Sequence, residues 1–146
     1  MASIATLRPD RDDPIIAACL DGNEERAVDL AQRDGTGTRA YGASKRALAR
    51  LIRRVAPRAD WAGSGIAINA VGPGVIDTPM ARYLLTPERR AQTAREIPMP
   101  LHGVGRPAHI ASLLCWLTSA ENGLVTGQVV FADGGFDAVT RGDDVW

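Results

Sequence analysis

The sequence predicts an α/β fold, and three stretches carry that reading. Residues 41–57 place Ala47, Leu48, Leu51, Ile52 and Val55 on one stripe at helical spacing. Residues 66–71 are short, apolar and partly β-branched, and Gly72-Pro73-Gly74 stops them, so they read as a buried strand. A second helical pattern opens at Pro107 and repeats at Ile110, Leu113, Leu114 and Leu117, which face the sheet; a final strand follows at 128–132.

The remaining elements follow in chain order. Residues 3–7 are a short mixed stretch, the frayed end of a strand. Residues 8–13 are charged, with Pro9 and Pro14 as punctuation. Asp13 suits a helix cap and Pro14 the first turn, so 15–20 is helical. Asp21-Gly22-Asn23 breaks that helix, and Asn23 or Asp21 caps a second one through Glu24, Val28, Leu30 and Ala31 to about Arg33. A glycine-rich loop at 34–38 leads to Tyr41. The helix over 41–57 ends near Pro57, and 60–65 is a loop. Thr86, Pro87 and Glu88 start another helix that runs to about Ile97. Pro98-Met99-Pro100 and Gly103-Val104-Gly105 bracket a loop. Asn122-Gly123 is a turn, and the tail 139–146 is polar except for its last two residues. With no internal repeat or linker, residues 1–146 read as one unit.

Composition narrows the function classes. The chain has 146 residues, 45% hydrophobic and 23% charged, which is one ordinary globular domain. Seventeen basic and seventeen acidic residues cancel, so no basic excess favours nucleic acid. No apolar run approaches a membrane span. The start has no basic segment followed by an apolar core, so it is not a signal peptide, and a cytoplasmic location is the default. Cys19 and Cys115 sit in apolar helical patterns and read as small core residues. His102 and His109 stand alone, which leaves no metal site to expect. Residues 1–34 carry eight acids and four bases, whereas 39–58 carry seven bases and no acid. The two segments suit complementary packing. Arg46, Arg50, Arg53 and Arg54 fall opposite the apolar stripe, but the aromatic interleaving of a nucleic-acid surface is missing.

The chemistry centres on Tyr41-Gly42-Ala43-Ser44-Lys45. Residues four apart on a helix share a side, so the phenol and the ammonium meet at the edge of the apolar stripe. A free tyrosine titrates near pH ~10, and an ammonium beside it stabilises the phenolate, which suits proton exchange near neutrality. Downstream come the run 65–80 (GIAINAVGPGVIDTPM) and the run 127–135 (GQVVFADGG). This ordered set resembles the C-terminal half of the short-chain dehydrogenase/reductase family, from about Tyr41 to Phe136. The look is closest to the bacterial 3α-hydroxysteroid dehydrogenase/carbonyl reductase branch.

That resemblance implies a partial Rossmann-like, doubly wound parallel sheet of about two to three strands with flanking helices. The N-terminal nucleotide-binding half is expected to be absent, because Gly35-Thr36-Gly37 has no apolar strand ahead of it. Residues 1–38 would be insert-like helices and a loop, and 39–146 the catalytic and C-terminal portion. The implied reaction is reversible hydride transfer between NAD or NADP and a secondary alcohol or ketone. A hydroxysteroid or another apolar carbonyl compound is the favoured substrate. The alternative is a truncated, inactive fragment or an oligomerisation module.

The resemblance also implies roles. Tyr41 exchanges the proton with the substrate oxygen. Lys45 lowers the pKa of Tyr41 and bonds the nicotinamide ribose. The family's usual serine position falls on Val28 beside Asp29, and neither can do that work. In the branch with inserted helices the serine lies further upstream, which leaves Ser3 as the candidate present. In the segment from Pro73 to Thr78, Pro73 and Gly74 would line the ring, followed by Val75. Ile76 would offer backbone atoms to the carboxamide and Thr78 its hydroxyl. Residues 79–105 correspond to the substrate lid, with Met80, Tyr83, Leu84, Leu85, Met99 and Leu101 as an apolar wall. A homo-oligomer would form through the last helix and strand, with Trp116 in packing or subunit contact.

Overall fold

The computed structural model describes residues 1–8, 10, 12–35 and 37–143. Pro9, Thr36 and the end of the tail, on which the sequence places punctuation, a loop and two apolar residues, lie outside the described residues. The helices are α1 (Pro14–Leu20), α2 (Glu24–Asp34), α3 (Gly37–Val55), α4 (Pro87–Glu96), α5 (Pro107–Leu117) and α6 (Phe136–Arg141). Two strands, β1 (Ala70–Pro73) and β2 (Val129–Ala132), form a parallel sheet with Ala70 opposite Val129 and Pro73 opposite Ala132. Tight 3-10 turns occupy Ile4–Leu7, Ala62–Ser64 and Pro79–Leu84. The architecture is α/β with a small parallel sheet and flanking helices, as expected.

Local chemistry explains the helix starts. The Asp13 carboxylate accepts the Ile15 N–H at 2.9 Å, and Pro14 opens α1 without wasting a donor. The Asn23 side chain accepts the Arg26 N–H at 3.0 Å, while Gly35 ends α2 with a φ of 66° that favours glycine. Pro87 and Pro107 open α4 and α5. At α5 the His109 ring accepts the Arg106 N–H at 3.2 Å, so this histidine closes a cap. α3 begins at Gly37, a turn earlier than the sequence suggests, which places Tyr41 inside the helix.

Packing divides between two faces of α3. Ala43 and Ala47 meet Ile15 and Ile16 of α1, and these small side chains let the helices approach closely. Ile52 meets Ala2 and Ala70, which joins α3 to the sheet. Leu51, expected on the buried stripe, is exposed instead. The charge complementarity of the two segments takes specific form: the buried Asp13 carboxylate accepts from Arg39 Nε at 2.8 Å. Arg46 is not on a free outer side either, since its guanidinium donates to the Thr6 carbonyl at 3.1 Å.

Further expectations need correction. The first strand runs over Ala70–Pro73 rather than 66–71, and Ile66 is 48% exposed. The Ile66 N–H goes to the Trp61 carbonyl and the Ile68 N–H to the Thr126 hydroxyl, so the paired register begins only at Ala70, although the Ile68 carbonyl still accepts the Gly127 N–H at 2.7 Å. Cys115 and Leu114 lie on the outer side of α5, while Ile110 and Leu117 face the sheet. A short helix that the sequence does not suggest, α6, begins ahead of the tail and runs into it as far as Arg141. The Asp133 carboxylate accepts the Gly135 and Asp137 N–H groups and nucleates α6, and the Phe136 side chain is buried.

Candidate functional site

The two N-terminal residues tie α3 to the sheet. The Ala2 N–H donates to the Val71 carbonyl of β1 at 2.8 Å, so this segment lies along the edge of β1 that β2 does not use. Lys45 Nζ donates to the Met1 carbonyl at 3.4 Å and stands 5.4 Å from the centroid of the Tyr41 ring. The phenol and the ammonium therefore share a side of α3, and the ammonium turns toward the chain segment beside β1. Tyr41 is 44% exposed and within reach of a solute. Ser3 follows directly. Its hydroxyl oxygen accepts the Ala5 N–H at 3.2 Å and caps the Ile4–Leu7 turn, which leaves the hydroxyl proton outside that bond.

β1 ends at Pro73, and the chain leaves its carboxyl end through Gly74, Val75, Ile76, Asp77 and Thr78. In open α/β sheets ligands gather at that end. A parallel bridge pins the loop, with the Gly105 N–H bonding the Val75 carbonyl at 2.9 Å and the Asp77 N–H the Gly105 carbonyl at 2.8 Å. The bridge therefore does not engage the Ile76 N–H. The Thr78 hydroxyl donates to the Ile76 carbonyl at 3.3 Å, which sets one hydroxyl beside one amide.

Met99 has a place that sequence reasoning missed. Its sulfur accepts the Val75 N–H at 3.3 Å. A Cβ built on Gly74 would lie 2.8 Å from Met99 Cε and 2.9 Å from Asp133 Cα. The side chain thus clamps the loop against the turn after β2. No sequence spacing signals that contact, because it joins residues far apart in the chain.

The apolar wall expected from residues 79–105 does not form as one surface. Met80 is 78% exposed and Tyr83 60% exposed, with the Arg89 guanidinium over the Tyr83 ring at 5.6 Å. The reason is local: Pro79–Leu84 is a 3-10 turn, which carries those two side chains outward. Leu84, Leu85 and Met99 turn inward and pack on Val75, Ile97 and Phe136. A cavity of about 320 Å³ lies beside that cluster, between α4, the 97–104 loop and α6. Among the described residues no cluster of histidine, cysteine or acidic side chains could hold a metal, and no helix is long and apolar enough to cross a membrane.

Comparison with known proteins places the chain among oxidoreductases by similarity. The enoyl-(acyl carrier protein) reductase family model matches residues 27–137. The 3-alpha-hydroxysteroid dehydrogenase/carbonyl reductase of Comamonas testosteroni is 31% identical over 130 residues, 88% of this chain and 50% of that protein. The 3beta-hydroxysteroid dehydrogenase 1 of Eggerthella lenta is 41% identical over 96 residues, 65% of this chain and 35% of its own. Among solved structures, the 3-alpha-hydroxysteroid dehydrogenase of Pseudomonas sp. B-0831, complexed with NADH, superposes with a TM-score of 0.85. It is 35% identical, and the match covers 96% of this chain and 55% of that one. The match spans between 35% and 55% of the length of these relatives. A family match over residues 27–137, with the Tyr41–Lys45 pair and the loop after β1 inside it, establishes that the chain belongs to the short-chain dehydrogenase/reductase family.

Proposed function

We propose that this chain carries the catalytic and nicotinamide-binding part of an NAD- or NADP-dependent oxidoreductase acting on a secondary alcohol or ketone, with a hydroxysteroid or similar apolar carbonyl compound as the substrate class. One observation carries the reading: Tyr41 and Lys45 face each other one turn apart on α3, and Lys45 reaches the segment that lines β1. The names of the hydroxysteroid dehydrogenase relatives support the substrate class.

The residues present suit the nicotinamide end of such a cofactor. A carboxamide needs a donor and an acceptor close together. Ile76 has an N–H outside the bridge, and Thr78 has a hydroxyl beside the Ile76 carbonyl. Pro73 and Gly74 stand at the carboxyl end of β1, where a flat ring can lie against backbone, and Val75 anchors the loop. When bound, the cofactor supplies or accepts the hydride. Tyr41 holds the proton at its phenol oxygen and exchanges it with the substrate oxygen. The Lys45 ammonium attracts negative charge on that oxygen and donates to the cofactor ribose. Ser3, through its hydroxyl proton, orients the substrate oxygen.

The test is hydride transfer from NADH or NADPH to alicyclic ketones by the purified chain and by Tyr41→Phe. Turnover is expected to fall by about 10²-fold or more while cofactor affinity stays within about twofold. Normal turnover in Tyr41→Phe would refute the assignment. A second reading is favoured by the coverage of the relatives, about half their length. In it the chain alone does not turn over and instead forms a homo-oligomer through α5 and β2. Leu114 and Trp116, exposed on α5, suit that contact. Sedimentation of an inactive but multimeric chain would decide for this second reading.

A further inference from the structure

We infer that the cavity between α4, the 97–104 loop and α6 takes the hydrocarbon body of a carboxylate-bearing ligand, with Arg90 pairing the carboxylate at the mouth. The volume, about 320 Å³, lies at the small end of the ~300–1,000 Å³ range of ligand pockets. Val75, Leu85, Ile97, Met99, Val104 and Val139 give it an apolar lining. Two side chains depart from that character, Thr93 and Arg90. The Thr93 hydroxyl is committed, since it donates to the Leu84 carbonyl at 2.8 Å. Arg90 is exposed, so its charge stands where the cavity opens to water.

The acid nearest to it along α4, Glu88, is hydrogen-bonded by its own backbone and by the Thr86 side chain and forms no salt bridge with Arg90. The positions three and four residues away on α4 and its cap are Thr86, Pro87, Thr93 and Ala94. Glu96 accepts from Gln92 at 2.6 Å. Asp133 serves two backbone N–H groups, and Asp137 is paired with Arg141. Among the described residues Arg90 forms no ion pair. A guanidinium is planar and matches a carboxylate with two parallel hydrogen bonds, which a neutral alcohol cannot do. The cavity adjoins the proposed site through Val75, next to Gly74. If that site acts on a carbonyl, the substrate would be a keto or hydroxy acid whose acid group lies away from the reacting carbon. That consequence rests on the function proposed above; the cavity's own preference does not.

The experiment uses the full chain without cofactor. Octanoate and octan-1-ol are titrated separately by NMR, following the amides of Val75, Thr93, Val104 and Val139. Octanoate is expected to bind about tenfold more tightly than octan-1-ol. Arg90→Gln should abolish that preference and Arg90→Lys retain part of it. Equal affinities in the native chain, a preference that survives Arg90→Gln, or shifts that avoid those four amides would overturn the inference. Because no NADH is present, a failure of the oxidoreductase reading leaves this result unaffected, and the reverse also holds.

Discussion

At Gly74 a single hydrogen stands where any other residue would carry a carbon. A Cβ there would press on Met99 and, less forgivingly, on the Asp133 backbone at 2.9 Å. Gly74→Ala is therefore expected to cost about 1–3 kcal/mol in urea unfolding. Gly123→Ala, where a Cβ meets nothing within 4 Å, should stay within about 0.5 kcal/mol. Equal losses would mean that the loop has room to move. The cysteines also separate at this scale. Burial, with the nearby Asp13 charge second, raises the Cys19 pKa, so less of it is thiolate near neutrality. Cys115 is exposed. Iodoacetamide at neutral pH should therefore label Cys115 first, as read by peptide mass spectrometry; simultaneous labelling would contradict the packing of α1. The sign for stability follows: the unfolded thiol ionises before the folded one, so stability declines as pH rises through the thiol range.

At the scale of elements, the helix starts were legible because caps are local. Asp13-Pro14, Asn23, Pro87 and Pro107 each act within a few residues, and each opens the helix it suggests. Asp13 does more, since one oxygen holds the Ile15 N–H and the other Arg39. Asp13→Ala is expected to lose about 1–2 kcal/mol, whereas Asp13→Asn keeps the capping oxygen and should lose less. Equal losses in chemical denaturation would show that the cap contributes little. What the sequence hid was non-local. The start of β1 depends on where Thr126 and Gln128 meet the chain, and α6 depends on a carboxylate placed by β2. Met80 and Tyr83 are apolar enough to suggest a wall, yet a 3-10 turn decides where they point.

Across the whole molecule, the candidate site draws on residues from both ends of the chain. Tyr41 and Lys45 were legible from one helical turn, and the loop 73–78 from its glycines and its order after them. The bond from Ala2 to β1 and the Met99 clamp were not, because tertiary contacts alone create them. The family match over 27–137 contains both the Tyr41–Lys45 pair and the loop 73–78. The central claim is that a nicotinamide ring rests against the loop after β1 with the Tyr41 phenol beside it. The most direct test is NMR of the isotopically labelled chain with millimolar NADH, which registers even weak binding. The account predicts shifts at Ile76 and Thr78 and along Tyr41 to Lys45, with the Ile76–Thr78 shifts kept in Tyr41→Phe. Shifts confined to other surfaces, or none at saturating NADH, would contradict it.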